Sequence, residues 1–251
     1  GEPSINEVFM RLRDVRASNK RDFLLRLGFA GRPGWGRLPP VSSGDERSDG
    51  DLFGAWVTGD GWAGELLFER HFESVARFFR NKVDSGHDDL IQKTFLGCVE
   101  ARHRFRGEAS FRTFLFAVAR NVLGKHYRTA RRSQLEFREV SIHDLGASPS
   151  LVFARDQQQL LMLNALRRIP LDYQVVLELH YWEAMSGAAI AEVLEVPLGT
   201  AKTRIRRAKQ LLAAEYEEMV SGGSSPQETE TRLDTWARSL RTQLFMLTGE
   251  D

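Results

Sequence analysis

One cysteine in 251 residues, Cys98, leaves no internal disulfide and no several-thiol zinc cage to staple a small fold, so the core has to be hydrophobic. No run approaches the roughly 18 consecutive apolar residues of a membrane span, and the N-terminus lacks the short apolar core of a signal peptide. The expectation is a cytoplasmic protein without membrane insertion. No alternating apolar segment of useful length and no internal repeat occur, which argues against sheets and solenoids. The six histidines show no paired ligand spacing, so no metal, cofactor or catalytic residue is assigned and the chain is not read as an enzyme. Gly59-Asp-Gly-Trp-Ala-Gly64 fits GxGxxG, but that pattern cradles a nucleotide only between the strand and helix of a larger parallel sheet, and no strands follow.

What is present is an all-α chain of two small helical domains with extensions at both ends. Residues 28–64 hold 10 of the 21 glycines with Pro33, Pro39 and Pro40, a composition that loses too much backbone entropy to pack regularly. Residues 1–62 are therefore read as a mostly irregular extension. Helical patterns over Glu65–Val83, Asp88–Arg104 and Phe111–Arg132 make a first domain, 63–133. A linker follows at 134–152, and a second domain over 153–220 is punctuated by Pro170, Ser186-Gly187 and Pro197. Ser221-Gly-Gly-Ser-Ser-Pro226 opens a flexible joint, and Leu233, Trp236, Leu240, Leu244 and Leu247 stripe one terminal helix within 221–251.

Balanced charge, 35 basic residues against 34 acidic, conceals segregation. Ala101 to Arg138 carries 10 Lys/Arg and two acids, and Lys202 to Lys209 carries five basic residues and no acid. In the second island Ala201, Ile205, Ala208 and Leu212 share one helix face, which leaves Lys202, Thr203, Arg206, Arg207 and Lys209 outside. Such a face suits the major groove, where Arg and Lys pair with guanine acceptors and Thr meets a base edge or a thymine methyl. Ser186 to Leu194 reads as a short helix capped by Ser186, so the two form a helix-turn-helix. In the first island Phe111, Leu115, Val118 and Val122 are expected to face inward. Phe114, Phe116 and Tyr127 then stand out among Arg112, Arg120, Lys125 and Arg128, with Asn121 able to bond a base edge. Exposed rings beside cations suit single-stranded nucleic acid, because bases stack on the rings.

Three ordered motifs together resemble bacterial RNA polymerase sigma factors of the sigma-70 family, in the extracytoplasmic-function (ECF) group. Asp88-Asp-Leu-Ile-Gln-Lys-Thr-Phe95 resembles the helix that grips the polymerase clamp coiled coil. Phe105-Arg-Gly-Glu-Ala-Ser-Phe-Arg-Thr-Phe-Leu-Phe-Ala-Val-Ala-Arg-Asn121 is similar to the segment that melts and reads the minus-10 element, and Val196 to Lys209 to the minus-35 reader. The resemblance covers about Leu66 to Tyr216. It implies core polymerase contacts at Asp88, Asp89, Gln92 and Phe95. For the minus-10 element it implies Phe105, Arg106, Phe111, Phe114, Phe116, Arg120, Asn121, Lys125 and Arg128, and for the minus-35 element Thr200, Lys202, Thr203, Arg206 and Arg207. Expected partners are the core enzyme, through its clamp coiled coil and flap, and promoter DNA, with association with the nucleoid when polymerase-bound. An anti-sigma partner is left open. Where the family commonly has Trp before Leu-Tyr in the melting helix, this chain has Phe114 and Phe116, which keep stacking surface but lose the polar handles, and Ala189 replaces the Glu that completes a capping box with Ser186. A free-standing helix-turn-helix regulator is the competing reading, and it leaves the aromatic helix and Asp88–Phe95 without a role.

Overall fold

The computed structural model describes residues 46–83, 86–102, 109–131, 157–220 and 235–236. They form eight helices and no strand: α1 (Asp49–Val57), α2 (Gly61–Arg80), α3 (His87–Ala101), α4 (Phe111–Arg131), α5 (Gln157–Arg168), α6 (Leu171–Tyr181), α7 (Gly187–Leu194) and α8 (Leu198–Val220). The all-α expectation holds. Contacts cluster the described residues into two units, one within 1–76 and 88–119, the other within 77–87 and 120–251. The expected linker 134–152, the loop residues Phe105 and Arg106, and the tail stripe apart from Trp236 lie outside the described residues.

α1 corrects the sequence reading, which had 28–64 irregular. Ser48 starts the helix by accepting a hydrogen bond at Oγ from the Asp51 amide at 3.1 Å, while the Asp51 carboxylate accepts from the Ser48 amide at 3.3 Å. The glycines of this stretch fall where they cost little burial. Gly50 and Gly54 are exposed, and the inward positions are Leu52, Phe53 and Trp56, all buried. Burying two aromatic rings outweighs the roughly 1 kcal/mol that each helical glycine costs.

The same packing explains the GxGxxG pattern. Gly59 takes φ 110 in the turn after α1, a left-handed geometry that suits glycine. Asp60 then caps α2 by accepting from the Trp62 amide at 3.0 Å. A Cβ on Gly64 would lie 2.4 Å from Nε1 of Trp56, so Gly64 is the seat of that indole rather than a phosphate cradle. Around it Trp56 meets Phe68 edge-on at 5.1 Å, Phe68 meets Phe95 at 4.6 Å and Phe53 meets Phe111 at 5.4 Å. These rings, with Leu67 and Leu115, are the core of the first unit.

In the second unit α8 packs against α5, α6 and α7. The strictly apolar filling comes from Leu166, Val176, Leu179, Ile190, Ala208 and Leu212. Ionic groups are buried there as well. Lys82 is wholly buried, and its Nζ meets Glu178 and donates to the Phe78 carbonyl at 2.8 Å. Arg77 donates to Glu183 at 3.1 Å, and Tyr127 donates to the Lys82 carbonyl.

Candidate polymerase and nucleic-acid interfaces

The helix-turn-helix is built from local rules. Ser186 sits at φ −66, ψ 159 and accepts from the Ala189 amide at 3.2 Å, so the cap forms without a partner acid at Ala189. Glu195 ends α7 in the left-handed region at φ 54, and the Val196 amide returns to the Ala191 carbonyl at 3.0 Å. The Pro197 carbonyl then accepts the Ala201 amide and opens α8. Ile190, Val193 and Leu194 hold α7 inward.

On α8 the inward stripe is Ala201, Ala208 and Leu212, as expected, but Ile205 is only half-buried and Arg204 is 92% buried in its place. Thr200, Lys202, Thr203, Arg206 and Arg207 are all exposed. Thr203 Oγ1 donates to the Gly199 carbonyl at 3.0 Å, which leaves its methyl and lone pairs for a partner. Lys209 is drawn back, its Nζ 5.1 Å from the centre of the Tyr181 ring.

α4 is rotated relative to the sequence reading. Ser110 caps it by accepting from the Thr113 amide at 3.1 Å. Val118 and Val122, expected inward, are half-buried, whereas Leu115, Phe116, Ala119, Leu123 and Tyr127 are buried with Phe111. Phe116 and Tyr127, expected as exposed stacking rings, are therefore core residues, and Phe111 likewise offers no face to a base. Phe114 stays half-buried against Phe53 at 5.9 Å. Arg120 donates to Asp172 at 3.1 Å. Asn121, Lys125 and Arg128 are exposed. At about 100° per residue, Phe114, Asn121, Lys125 and Arg128 fall within roughly 60° of one another on the wet side.

α3 divides the expected polymerase contacts. Asp88 is half-buried and Asp89 exposed in its first turn, where their charge favours the helix dipole. Asp89 pairs with Lys93 at 2.6 Å. Gln92, at 8% exposure, is buried, which corrects its expected accessibility, and Phe95, at 0%, packs tilted against Phe68 in the core, so neither of these two implied contacts is open to a partner. Cys98 is buried too, and burial pushes its thiol well above the ordinary value, which removes it as a nucleophile. No cluster of metal-ligating side chains occurs among the described residues, and no described helix is long and apolar enough to cross a membrane.

A capped helix-turn-helix with a cationic face, preceded in the sequence by a helix presenting one ring and three polar or basic side chains, is the make-up of a nucleic-acid-binding transcription factor. Comparison with known proteins agrees. Residues 67–133 match the family described as Sigma-70 region 2, and residues 159–212 match Sigma-70, region 4. The ECF RNA polymerase sigma-E factor of Haemophilus influenzae is 26% identical over 166 residues, covering 61% of this chain and 87% of that protein. Its namesake in Escherichia coli (strain K12) is 25% identical over 174 residues, covering 64% of this chain and 91% of the relative. The solved structure of CnrH in complex with the cytosolic domain of CnrY is 22% identical, with TM-score 0.49, over 70% of this chain and 99% of that one. The chain belongs to the sigma-70 family, in its ECF group.

Proposed function

We propose that the two basic faces divide promoter recognition between them: α8 reads duplex at the minus-35 element while the wet side of α4 captures melted minus-10 bases. The family-level function is that of an ECF sigma factor, which binds core RNA polymerase and directs promoter-specific initiation. The observation that carries the division of labour is the joint exposure of Thr200, Lys202, Thr203, Arg206 and Arg207 on a helix whose opposite stripe is locked inward. In this reading Lys202 and Arg206 meet base edges, one turn apart on the same line, and Thr200, Thr203 and Arg207 flank them. Phe114 supplies the stacking ring for an unpaired base, Asn121 a base-edge donor and acceptor, and Lys125 and Arg128 the phosphate contacts. Arg120 joins them only when released from Asp172.

Asp88 and Asp89 face the clamp coiled coil, and the C-terminal domain meets the flap. An anti-sigma factor would act by covering these surfaces. The chain carries no bond chemistry in this scheme and sits with the nucleoid when bound to polymerase. A free-standing regulator is not favoured, since it gives α3 and α4 nothing to do. The test is duplex binding by holoenzyme on the preferred minus-35 sequence and on scrambled ones. Arg206→Ala or Lys202→Ala should cost about 1 to 3 kcal/mol on the preferred sequence and relax discrimination there. Equal weakening on every sequence would reassign both to phosphates.

A further inference from the structure

The C-terminal extension lies beyond the helix-turn-helix, and one of its residues is seated on the second unit. Trp236 meets Trp182 edge-on, with ring centres 6.4 Å apart at 64°. The two indoles line a small cleft together with Leu166 of α5, Leu177, Glu178 and Tyr181 of α6, and Leu212 of α8. Neither indole N–H has an acceptor among the described residues, so apolar contact and ring edges hold the seat. Two of the lining residues belong to the support of the reader helix. Leu212 belongs to its inward stripe, and Tyr181 carries the Lys209 ammonium on its ring.

Chain length permits the return. Leu212 lies eight residues before Val220, about 12 Å back along α8, and the sixteen residues from Val220 to Trp236 span several times that distance when extended. The tail also needs a surface. Leu233, Trp236, Leu240, Leu244 and Leu247 form one stripe in the sequence, and an isolated helix of that length is marginal in water.

We propose that residues 226–251 are an intramolecular ligand of the second unit, anchored by Trp236 in the cleft of Leu166, Leu177, Tyr181, Trp182 and Leu212, so that the cleft is a docking surface for a tryptophan-bearing amphipathic segment and this chain's own tail is its occupant. The tail stays covalently tied to the second unit through the sequence Ser221 to Pro226, so a released tail rebinds at the effective concentration that this tether sets. The proposal is independent of the promoter reading, and its test contains neither DNA nor polymerase.

A protease site placed in the 221–226 joint of the full chain converts the tail into a separate fragment after cleavage, and a fluorophore at the C-terminus reports its release by anisotropy. The cleaved wild type should retain its tail at micromolar protein. W236A should weaken retention at least about 30-fold, the scale of an anchoring aromatic residue, and W236F, which keeps an apolar ring and guards against misfolding, should fall between. Release of the wild-type tail at micromolar concentration would overturn the proposal. So would equal retention by wild type, W236F and W236A, which would place the anchor elsewhere on the stripe.

Discussion

The buried Lys82–Glu178 pair tests whether ionic groups specify the packing of the second unit. Lys82 is 0% exposed and Glu178 2%, and each has further ties: the Lys82 ammonium to the Phe78 carbonyl and ring, Glu178 to Gln174 Nε2 at 3.0 Å. Burial pushes Lys82 below its ordinary value and Glu178 above, and the partner's charge pulls each back. Removing one partner strands the other, so K82M and E178Q should each destabilise by about 3 to 5 kcal/mol, whereas the apolar double replacement K82M/E178L should lie within about 2 kcal/mol of wild type. The pH dependences should be opposite. In K82M the folded state holds the Glu178 proton more tightly than the unfolded chain, so the deficit is small near the ordinary carboxyl value of 4.5 and grows as pH rises through the folded value. In E178Q the folded state holds the Lys82 proton less tightly, so the deficit is full below the folded value and shrinks as pH climbs toward 10.5. Urea unfolding followed by circular dichroism at pH 5, 7 and 9 measures both slopes. Single-variant deficits below about 1 kcal/mol, or slopes of the same sign, would refute the reasoning.

G64A places a Cβ 2.4 Å from the Trp56 indole and should lower stability by about 1 to 3 kcal/mol, read as a fall in thermal midpoint; no fall would mean that α1 is not held through Trp56. S186A removes the α7 cap and should cost about 1 kcal/mol in stability, with minus-35 affinity falling in parallel in a filter-binding assay. F116A, at a fully buried position, should cost about 3 to 5 kcal/mol in urea unfolding, while F114A should leave folding closer to wild type and slow promoter opening. Pre-melted template should rescue F114A alone; rescue of F116A instead would reverse the assignment.

The helix-turn-helix was legible because its signals are local and agree: Ser186 in cap position, an apolar stripe at 3.6 spacing and five cations without an acid. α1 is illegible by composition because it is only nine residues long within 37 residues, 28–64, that are dominated by glycine and proline. Its own signals were present: Ser48 with Asp51 three residues on, then Leu52, Phe53 and Trp56 on one face. Gln92 and Phe95 show a different failure. On a helix packed on more than one side the buried arc is wider than one stripe, and here it takes in Leu90, Ile91, Gln92, Thr94, Phe95 and Cys98 together, so a contact implied by motif alone can fall inside it.

α4 shows how much such an error moves a functional surface. The stripe Phe111, Leu115, Val118 and Val122 is a valid i, i+4, i+7, i+11 series, but the observed core of Phe111, Leu115, Phe116, Ala119, Leu123 and Tyr127 is centred roughly 80° further round. Both series are apolar, and nothing within the helix ranks them, because small Ala119 reads as neutral and Phe116 and Tyr127 read as either core or contact. Packing settles the choice: Tyr127 spends its hydroxyl on the Lys82 carbonyl, and Phe111 joins the rings of α1 and α2. The rotation removes Phe116 from the candidate nucleic-acid face and moves Arg120 to its border, where Asp172 takes it. What remains, Phe114 with Asn121, Lys125 and Arg128, is narrower than the sequence implied and chemically more coherent, since one ring, one amide and two cations along about four turns match the parts of a single unstacked strand.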